Sequence, residues 1–229
     1  MNILVTGCAG FIGFNLCLKL LKNKRINLFG IDNLNSYYDV ELKKNRLKQL
    51  KNNKNFKFEK LNIENNIKVS SNFKKNKYLI VIHLAAQAGV RYSIENPRKY
   101  LETNLNGFFN ILDNSRISNI SHFIFASTSS VYGENKNFPL MEEFNTDKPI
   151  SFYAATKKSN ETLAYSYSYT YKLSCTGLRF FTVYGPYGRP DMSLFKFTKS
   201  ILENKKIDLY NSGNHTRDFT YIDDVVDAI

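Results

Sequence analysis

The segment Thr6-Gly7-Cys8-Ala9-Gly10-Phe11-Ile12-Gly13 constrains the chain more than any other. An apolar run, Asn2–Thr6, leads into it and an amphipathic stretch over residues 11–22 leads out, so its glycines sit where a strand turns into a helix. Glycine at that junction lets the backbone approach a diphosphate and lets strand and helix pack closely, while the helix N-terminus stabilises negative charge. A second apolar run ends in Gly30-Ile31-Asp32. A carboxylate there accepts hydrogen bonds from both hydroxyls of an adenosine ribose and repels a ribose phosphate, which favours NAD over NADP; the alternative is that Asp32 only caps the following turn.

The rest of the chain repeats the alternation. The patterning predicts strands at residues 2–6, 26–31, 56–61, 78–84, 122–126, 174–181 and 207–210, with helices at 11–22, 40–51, 97–116, 153–171 and 192–203. Continuous apolar strands alternating with helices imply an α/β fold, a Rossmann-type doubly wound parallel sheet flanked by helices. There is no internal repeat and no low-complexity linker.

A net charge of +12 raises the question of nucleic acid. The lysines are spread through Asn-rich polar stretches, notably 43–60 and 68–77, without a compact basic motif, so they read as solvated surface and no nucleic-acid partner is expected. No apolar run approaches the about 18 residues of a spanning helix, and the first strand begins at once without a signal peptide; no membrane association and a cytoplasmic location are expected. Cys8, Cys17 and Cys175 stand far apart in apolar contexts and are expected to be reduced and buried, and no metal site is visible.

Tyr153 and Lys157 fall one turn apart on the helix predicted for 153–171, on one face. A phenol of reference pKa about 10 becomes a usable base when a nearby ammonium favours the phenolate. A chance pair on a Tyr-rich helix is the alternative. The fifth strand delivers Ser127-Thr128-Ser129-Ser130 to the carboxyl end of the sheet, where substrate chemistry belongs in such folds, although a Ser/Thr cluster after a strand is also ordinary turn chemistry.

The glycine turn, Asp32 and Tyr153-x-x-x-Lys157 together resemble an extended short-chain dehydrogenase/reductase. His83-Leu84-Ala85-Ala86-Gln87-Ala88-Gly89-Val90-Arg91-Tyr92-Ser93, Ser130-Val131-Tyr132-Gly133, Phe181-Thr182-Val183-Tyr184-Gly185-Pro186 and Arg217-Asp218-Phe219-Thr220-Tyr221-Ile222 are similar to the nucleotide-sugar epimerases, within them to the UDP-glucuronate 4-epimerases. The resemblance implies a cofactor-binding domain over 1–181, holding NAD through Gly7, Gly10, Gly13, Asp32 and the adjoining Asn33, with the backbone amides of Phe11 and Ile12 on the diphosphate. It places Asn62 and Ile63 at the adenine, though Asn62 stands where many relatives carry Asp. It lines the nicotinamide half with Leu84 to Gln87, Asn104, Ser127 and Phe181; for Leu84, Ala85, Ala86 and Phe181 an ordinary core role is equally compatible. Tyr153, Lys157 and Thr128 become the catalytic set, with Tyr153 taking the proton of the sugar 4-hydroxyl while carbon 4 reduces bound NAD, which later returns the hydride to the other face.

Related dehydratases and decarboxylases carry carboxylates where this chain has Ser129 and Ser130. Elimination of water needs an acid that two serines do not supply, so reversible oxidation fits better. For the sugar, Thr182 replaces an Asn common among neutral-sugar epimerases. Arg189, aided by Ser129, Ser130 and Thr182, offers a fork for a uronate carboxylate, with Arg91 a weaker candidate; the alternative is that Arg189 caps a loop or pairs with Asp191. Arg217 resembles a phosphate clamp for UDP, and Tyr210 an aromatic that stacks on uracil. Three readings follow: a UDP-glucuronate 4-epimerase, a 4-epimerase of a neutral or N-acetylated UDP-sugar, or a non-catalytic dinucleotide-binding module. Residues 182–229 are expected to be part of a smaller substrate-binding region, since the family continues beyond Ile229. Helices 97–116 and 153–171 are expected to pair two copies into a homodimer.

Overall fold

The first strand, β1 (Asn2–Thr6), has Leu4 and Val5 wholly buried, as a strand covered on both faces requires. The computed structural model describes residues 1–214 and 216–229, except for the side chains of 210 and 211. After β1 come α1 (Phe11–Leu20), β2 (Asn27–Asp32), α2 (Val40–Lys51), β3 (Phe56–Lys60), α3 (Asn66–Asn76) and β4 (Ile80–His83). Two single turns, α4 (Tyr92–Glu95) and α5 (Pro97–Tyr100), lead through a π-helical segment (Leu101–Gly107) into α6 (Phe108–Ile117) and β5 (His122–Ala126). The chain continues through α7 (Phe152–Tyr171), β6 (Cys175–Leu178), β7 (Thr182–Tyr184), α8 (Ser193–Leu202), β8 (Phe219–Tyr221) and α9 (Ile222–Ala228).

Among the described residues, six strands form one parallel sheet in the order β3-β2-β1-β4-β5-β6. Ile3 pairs with Leu28 on one side of β1 and with Ile80 on the other. The chain therefore winds outward from β1 in one direction and resumes beside it in the other. The resulting switch point lies at the carboxyl ends of β1 and β4, where doubly wound sheets leave a crevice.

Alternation along the strands feeds two cores. Val5, Phe14, Leu28 and Leu47 pack on one face of the sheet, while Leu4, Ile31, Phe73, Phe108 and Phe123 pack on the other. Burying a side chain of this size contributes about 1.5–3 kcal/mol, so the cores hold the crevice walls rigid. Side chains also fix the helix starts: Asp39 accepts from Glu41 N, Asn65 from Lys68 N and Ser151 from Ala154 N.

Several expectations fail, each for a physical reason. The lysines of residues 68–77 are exposed as expected, but these residues are mostly the helix α3, which was not expected because its buried Val69, Asn72 and Phe73 make a stripe too narrow to dominate its polar composition. Residues 207–210 are not a strand; 205–209 are irregular and Tyr210–Gly213 is a short 3-10 turn. Instead β7 and β8 form a small parallel sheet, with Thr182 opposite Phe219. The helix expected over 97–116 exists, but its middle is the wide π turn. The helix α9 returns to the first core through Ile222 and Val226, and no residue of α8 is buried. Cys8 and Cys17 are buried free thiols, whereas Cys175 is only half-buried.

Among the described residues no helix is long and apolar enough to cross a membrane, and no group of three or more His, Cys, Asp or Glu side chains is placed to hold a metal ion.

Candidate active site

A cavity of about 420 Å³ opens at the switch point. Its floor is the glycine turn, with Gly7, Gly10, Phe11, Ile12 and Gly13 all on the lining. The turn is built for close approach. A Cβ on Gly7, whose φ is +70°, would lie 2.8 Å from the Ala85 amide nitrogen, and one on Gly13 would lie 2.2 Å from the Gly7 carbonyl oxygen. Asp32 stands at the end of β2 on the same wall, accepting from the Leu34 amide at 2.8 Å and the Ala9 amide at 3.1 Å. One oxygen thus meets the glycine turn and the other the loop after β2, and burial raises its pKa against the pull of these amides and of Lys43 and Arg46.

Asn33 and Ile63 also line the cavity. Asn62 is exposed and off the lining; its side-chain oxygen accepts from Asn33 Nδ2 at 3.1 Å. Leu84, Ala85, Ala86 and Gln87 continue the wall from β4. Asn104 stands behind this wall rather than in it. It accepts from the Gln87 amide at 2.8 Å, and its Nδ2 donates to the Gln87 carbonyl at 3.0 Å and to Thr156 at 3.1 Å. His83 lies behind the wall too: buried against Phe108 and Phe123, it meets the Thr6 hydroxyl at 2.8 Å, and burial lowers its pKa to about 3, so it is neutral scaffold.

The proton-transfer candidates converge on the opposite wall. Ser127, Thr128, Ser129 and Ser130 follow β5, and α7 brings Tyr153 and Lys157 against them. Burial raises the Tyr153 pKa, and the influences that oppose it are the positive charge of Arg189 and a hydrogen bond with Thr128. The Lys157 ammonium donates to the Ala126 carbonyl at 2.9 Å. Burial lowers its own pKa from the usual 10.5 to about 8. The unfolded chain then holds this proton more tightly than the folded one, and the cost of burying it, fully present below about pH 8, is relieved as the pH rises toward 10.5. Compared with Lys157→Met by denaturant unfolding, the wild type is expected to gain stability across that interval. A difference that stays constant with pH would exclude a buried ammonium.

Three charged groups that the sequence reading placed elsewhere or passed over belong to this architecture. Lys43 is only 5% exposed and lines the cavity, its Nζ donating at 2.7 Å to both the backbone and side-chain oxygens of Asn35. Arg46, one turn further along α2, is fully buried beneath the glycine turn. Glu161, one turn beyond Lys157, accepts from Ser127 Oγ at 2.5 Å and from two Arg179 nitrogens at 3.0 Å each, tying α7 to the strand ends. The Tyr153, Lys157, Glu161 spacing carries that signal, whereas Lys43 and Arg46 sit in a sequence dominated by exposed lysine.

On the substrate side, Phe181, Thr182 and Arg189 line the cavity. The Arg189 fork is filled by Asp191, with Nε donating to Oδ1 at 3.0 Å and Nη2 to Oδ2, and Tyr37 OH donates to the same carboxylate at 3.2 Å. The ion-pair alternative is therefore the arrangement seen. Arg91 is exposed and off the lining, and Arg217 is exposed with its Nη1 donating to the Thr216 carbonyl at 2.7 Å. The structure brings neither to the cavity. The Tyr210 side chain lies outside the described residues.

The model for the "NAD dependent epimerase/dehydratase family" matches residues 3–229. The chain belongs to this family. Among the relatives of this epimerase/dehydratase, the "Protein CapI" of Staphylococcus aureus is 56% identical over 229 residues, covering 100% of this chain and 68% of its own length. A "Probable UDP-glucuronate 4-epimerase" of Rhizobium meliloti (strain 1021) is 45% identical over 229 residues, with 100% and 67% covered. A crystal structure of a UDP-glucuronic acid 4-epimerase from Bacillus cereus, in complex with UDP-glucuronic acid and NAD, superposes with a TM-score of 0.93 at 38% identity, over 99% of this chain and 71% of that one. The family name implies NAD, and the site fits it: a glycine cradle that a Cβ would fill, and a partly buried carboxylate on the cavity lining at the end of β2.

Proposed function

We propose that this chain carries the cofactor and catalytic part of a UDP-glucuronate 4-epimerase, an NAD-dependent isomerase that interconverts UDP-glucuronate and UDP-galacturonate. The observation that carries this reading is the set Thr128, Ser129, Ser130 and Tyr153 on one wall: a proton-transfer pair with hydroxyls, and no carboxylate, flanking it. Such a wall supports oxidation and reduction at one carbon but lacks the acid that eliminating water requires. The relatives named for this activity support the same substrate class.

NAD, when bound, accepts and returns hydride at carbon 4 of the sugar. The chain's own residues do the rest. Tyr153 takes the proton of the 4-hydroxyl and gives it back, Thr128 holds the same oxygen, and Arg189 supplies the positive charge that favours the phenolate, with Lys157 one turn along α7 held against the Ala126 carbonyl. Since Asp191 occupies the Arg189 fork, the uronate carboxylate is assigned to the hydroxyls of Ser129, Ser130 and Thr182, with Arg189 contributing charge rather than a bidentate clamp. Lys43 joins Asp32 and Asn33 at the adenosine side, because its ammonium lies on the lining beside them. Residues 1–181 are assigned to the cofactor and 182–229 to the substrate side, with α9 docked back on the first core. Exposed aromatic side chains on α6 and α7, Phe109, Tyr165 and Tyr169 among them, suit pairing of two copies, and a cytoplasmic location suits a nucleotide-sugar substrate.

Incubation of the full-length protein with UDP-glucuronate and with UDP-glucose, followed by separation of the 4-epimers, tests this. Conversion of the uronate in preference to the neutral sugar is expected. Comparable kcat/KM on UDP-glucose would move the assignment to a neutral-sugar epimerase, and no conversion despite bound NAD would leave a binding module.

A further inference from the structure

Arg46 is a charged side chain with no exposed surface, and none of its hydrogen-bond partners is a carboxylate. Nη1 donates to the Ala9 carbonyl at 2.8 Å and to Tyr38 OH at 2.9 Å, while Nη2 donates to the Tyr187 carbonyl at 2.5 Å and makes a longer contact to the Gly188 carbonyl at 3.4 Å. Nε is buried with no partner among the described residues. Burying a guanidinium is unfavourable unless its donors are met, and here full satisfaction gives way to one orientation, with one Nη toward the glycine turn and the other toward the loop 185–192. That loop needs holding. Tyr187 sits at φ +60°, a left-handed conformation that non-glycine residues rarely adopt, and Gly185 is at φ +141°. Two more contacts run in parallel: the Phe14 and Tyr187 rings pack edge to face at 5.1 Å, and Tyr37 OH reaches Asp191.

We propose that Arg46 is a positioning residue, a brace that ties the substrate-side loop carrying Arg189 to the cofactor turn, so that NAD occupancy orders that loop. The turn is the common element: an anion held on its amides fixes the Ala9 carbonyl on its reverse side, and the rigid guanidinium passes that position to the carbonyls of Tyr187 and Gly188. A lysine cannot replace it, since one ammonium on a flexible stem does not span two loops with fixed geometry.

Hydrogen exchange of the full-length protein, stripped of NAD and reloaded, reads this directly. In the wild type, NAD is expected to slow exchange in the 185–192 peptide by about fivefold or more, the lower end of ordinary site-to-site coupling. In Arg46→Met the protein still retains NAD, but the exchange of this peptide no longer responds to it. Arg46→Lys, which keeps the charge and reaches only one partner, carries the same expectation should the Met variant fail to fold. An equal NAD response in wild type and variants, or no response in the wild type, would overturn the brace. Faster exchange spread evenly over the sheet would do the same, because it would make Arg46 a general core residue. On the epimerase reading, with which the kinetic arm stands or falls, the variants show a UDP-glucuronate KM raised about tenfold with kcat within about threefold. The exchange readout needs no turnover, so a protein that converts neither sugar yet shows NAD-linked protection loses the proposed function and keeps the brace.

Discussion

Tyr153→Phe is expected to lower the interconversion of UDP-glucuronate and its 4-epimer by about 10²–10⁴-fold, the usual contribution of a positioned acid or base, with NAD retention unchanged. The substitution removes one hydroxyl and little else. The ring lies edge to face with Tyr100 at 6.2 Å, a contact phenylalanine keeps, and the helix start at Ser151 does not depend on it. The phenol must work from an unfavourable starting point, because burial raises its pKa and only Arg189 and Thr128 pull it back. The wild-type rate is therefore expected to climb with pH through the neutral range as the phenolate fraction grows, and the residual rate of the Phe variant is expected to lose that climb. Epimer separation over a pH series, with NAD released by denaturation and quantified, checks both. A variant keeping more than about a tenth of the wild-type rate would remove Tyr153 from proton transfer.

Gly13→Ala is expected to abolish NAD retention and to destabilise the chain by about 1–3 kcal/mol or more, the range for forcing extra atoms into a packed site. The added carbon would sit 2.2 Å from the Gly7 oxygen and 2.9 Å from the Gly7 carbonyl carbon. Those atoms are backbone, in a turn that is itself locked against Ala85, so neither can swing away. Gly10→Ala is the internal control. Its carbon meets only the Gly7 oxygen, at 3.0 Å, and a smaller loss is expected. Gel filtration followed by NAD release, with thermal unfolding of both variants, would separate the two. Equal behaviour would mean that the turn relaxes and that the glycines serve only the approach of the ligand.

Much of this architecture was legible from residues alone, and for an identifiable reason. The glycine turn, Asp32 and the Tyr153, Lys157 pair are local patterns whose chemistry and geometry coincide, and they lie on the cavity where the patterns put them. The failures are all non-local. Lys43 and Arg46 belong to α2, whose other lysines are exposed, and only the fold reveals that its buried stripe passes under the glycine turn. No helix is predicted over α3, which buries only three residues among eleven. The pairing of β7 with β8 joins segments of three residues each, too short to show alternation. Arg189 was legible as a residue of the site and its pairing with Asp191 as one of its possible states, whereas Tyr37 reaches the same carboxylate only through the fold.

The wide turn at Leu101–Gly107 changes what a mutation of length means in this protein. A π turn takes up one more residue than an α turn, so the segments before and after it are out of phase by about 100° relative to a continuous α-helix. Pro97–Tyr100 and Phe108–Ile117 are each anchored, the first through the buried Tyr100 and the second through the buried Phe108 and Ile111. Deleting one residue within the wide turn would let it close to an ordinary α turn with both anchored flanks in place, whereas the same deletion in either flank would rotate a core face toward water by about 100°. The surplus residue acts as a phase adjuster, and relatives of different length through this helix are better aligned by the faces they bury than by their residue count.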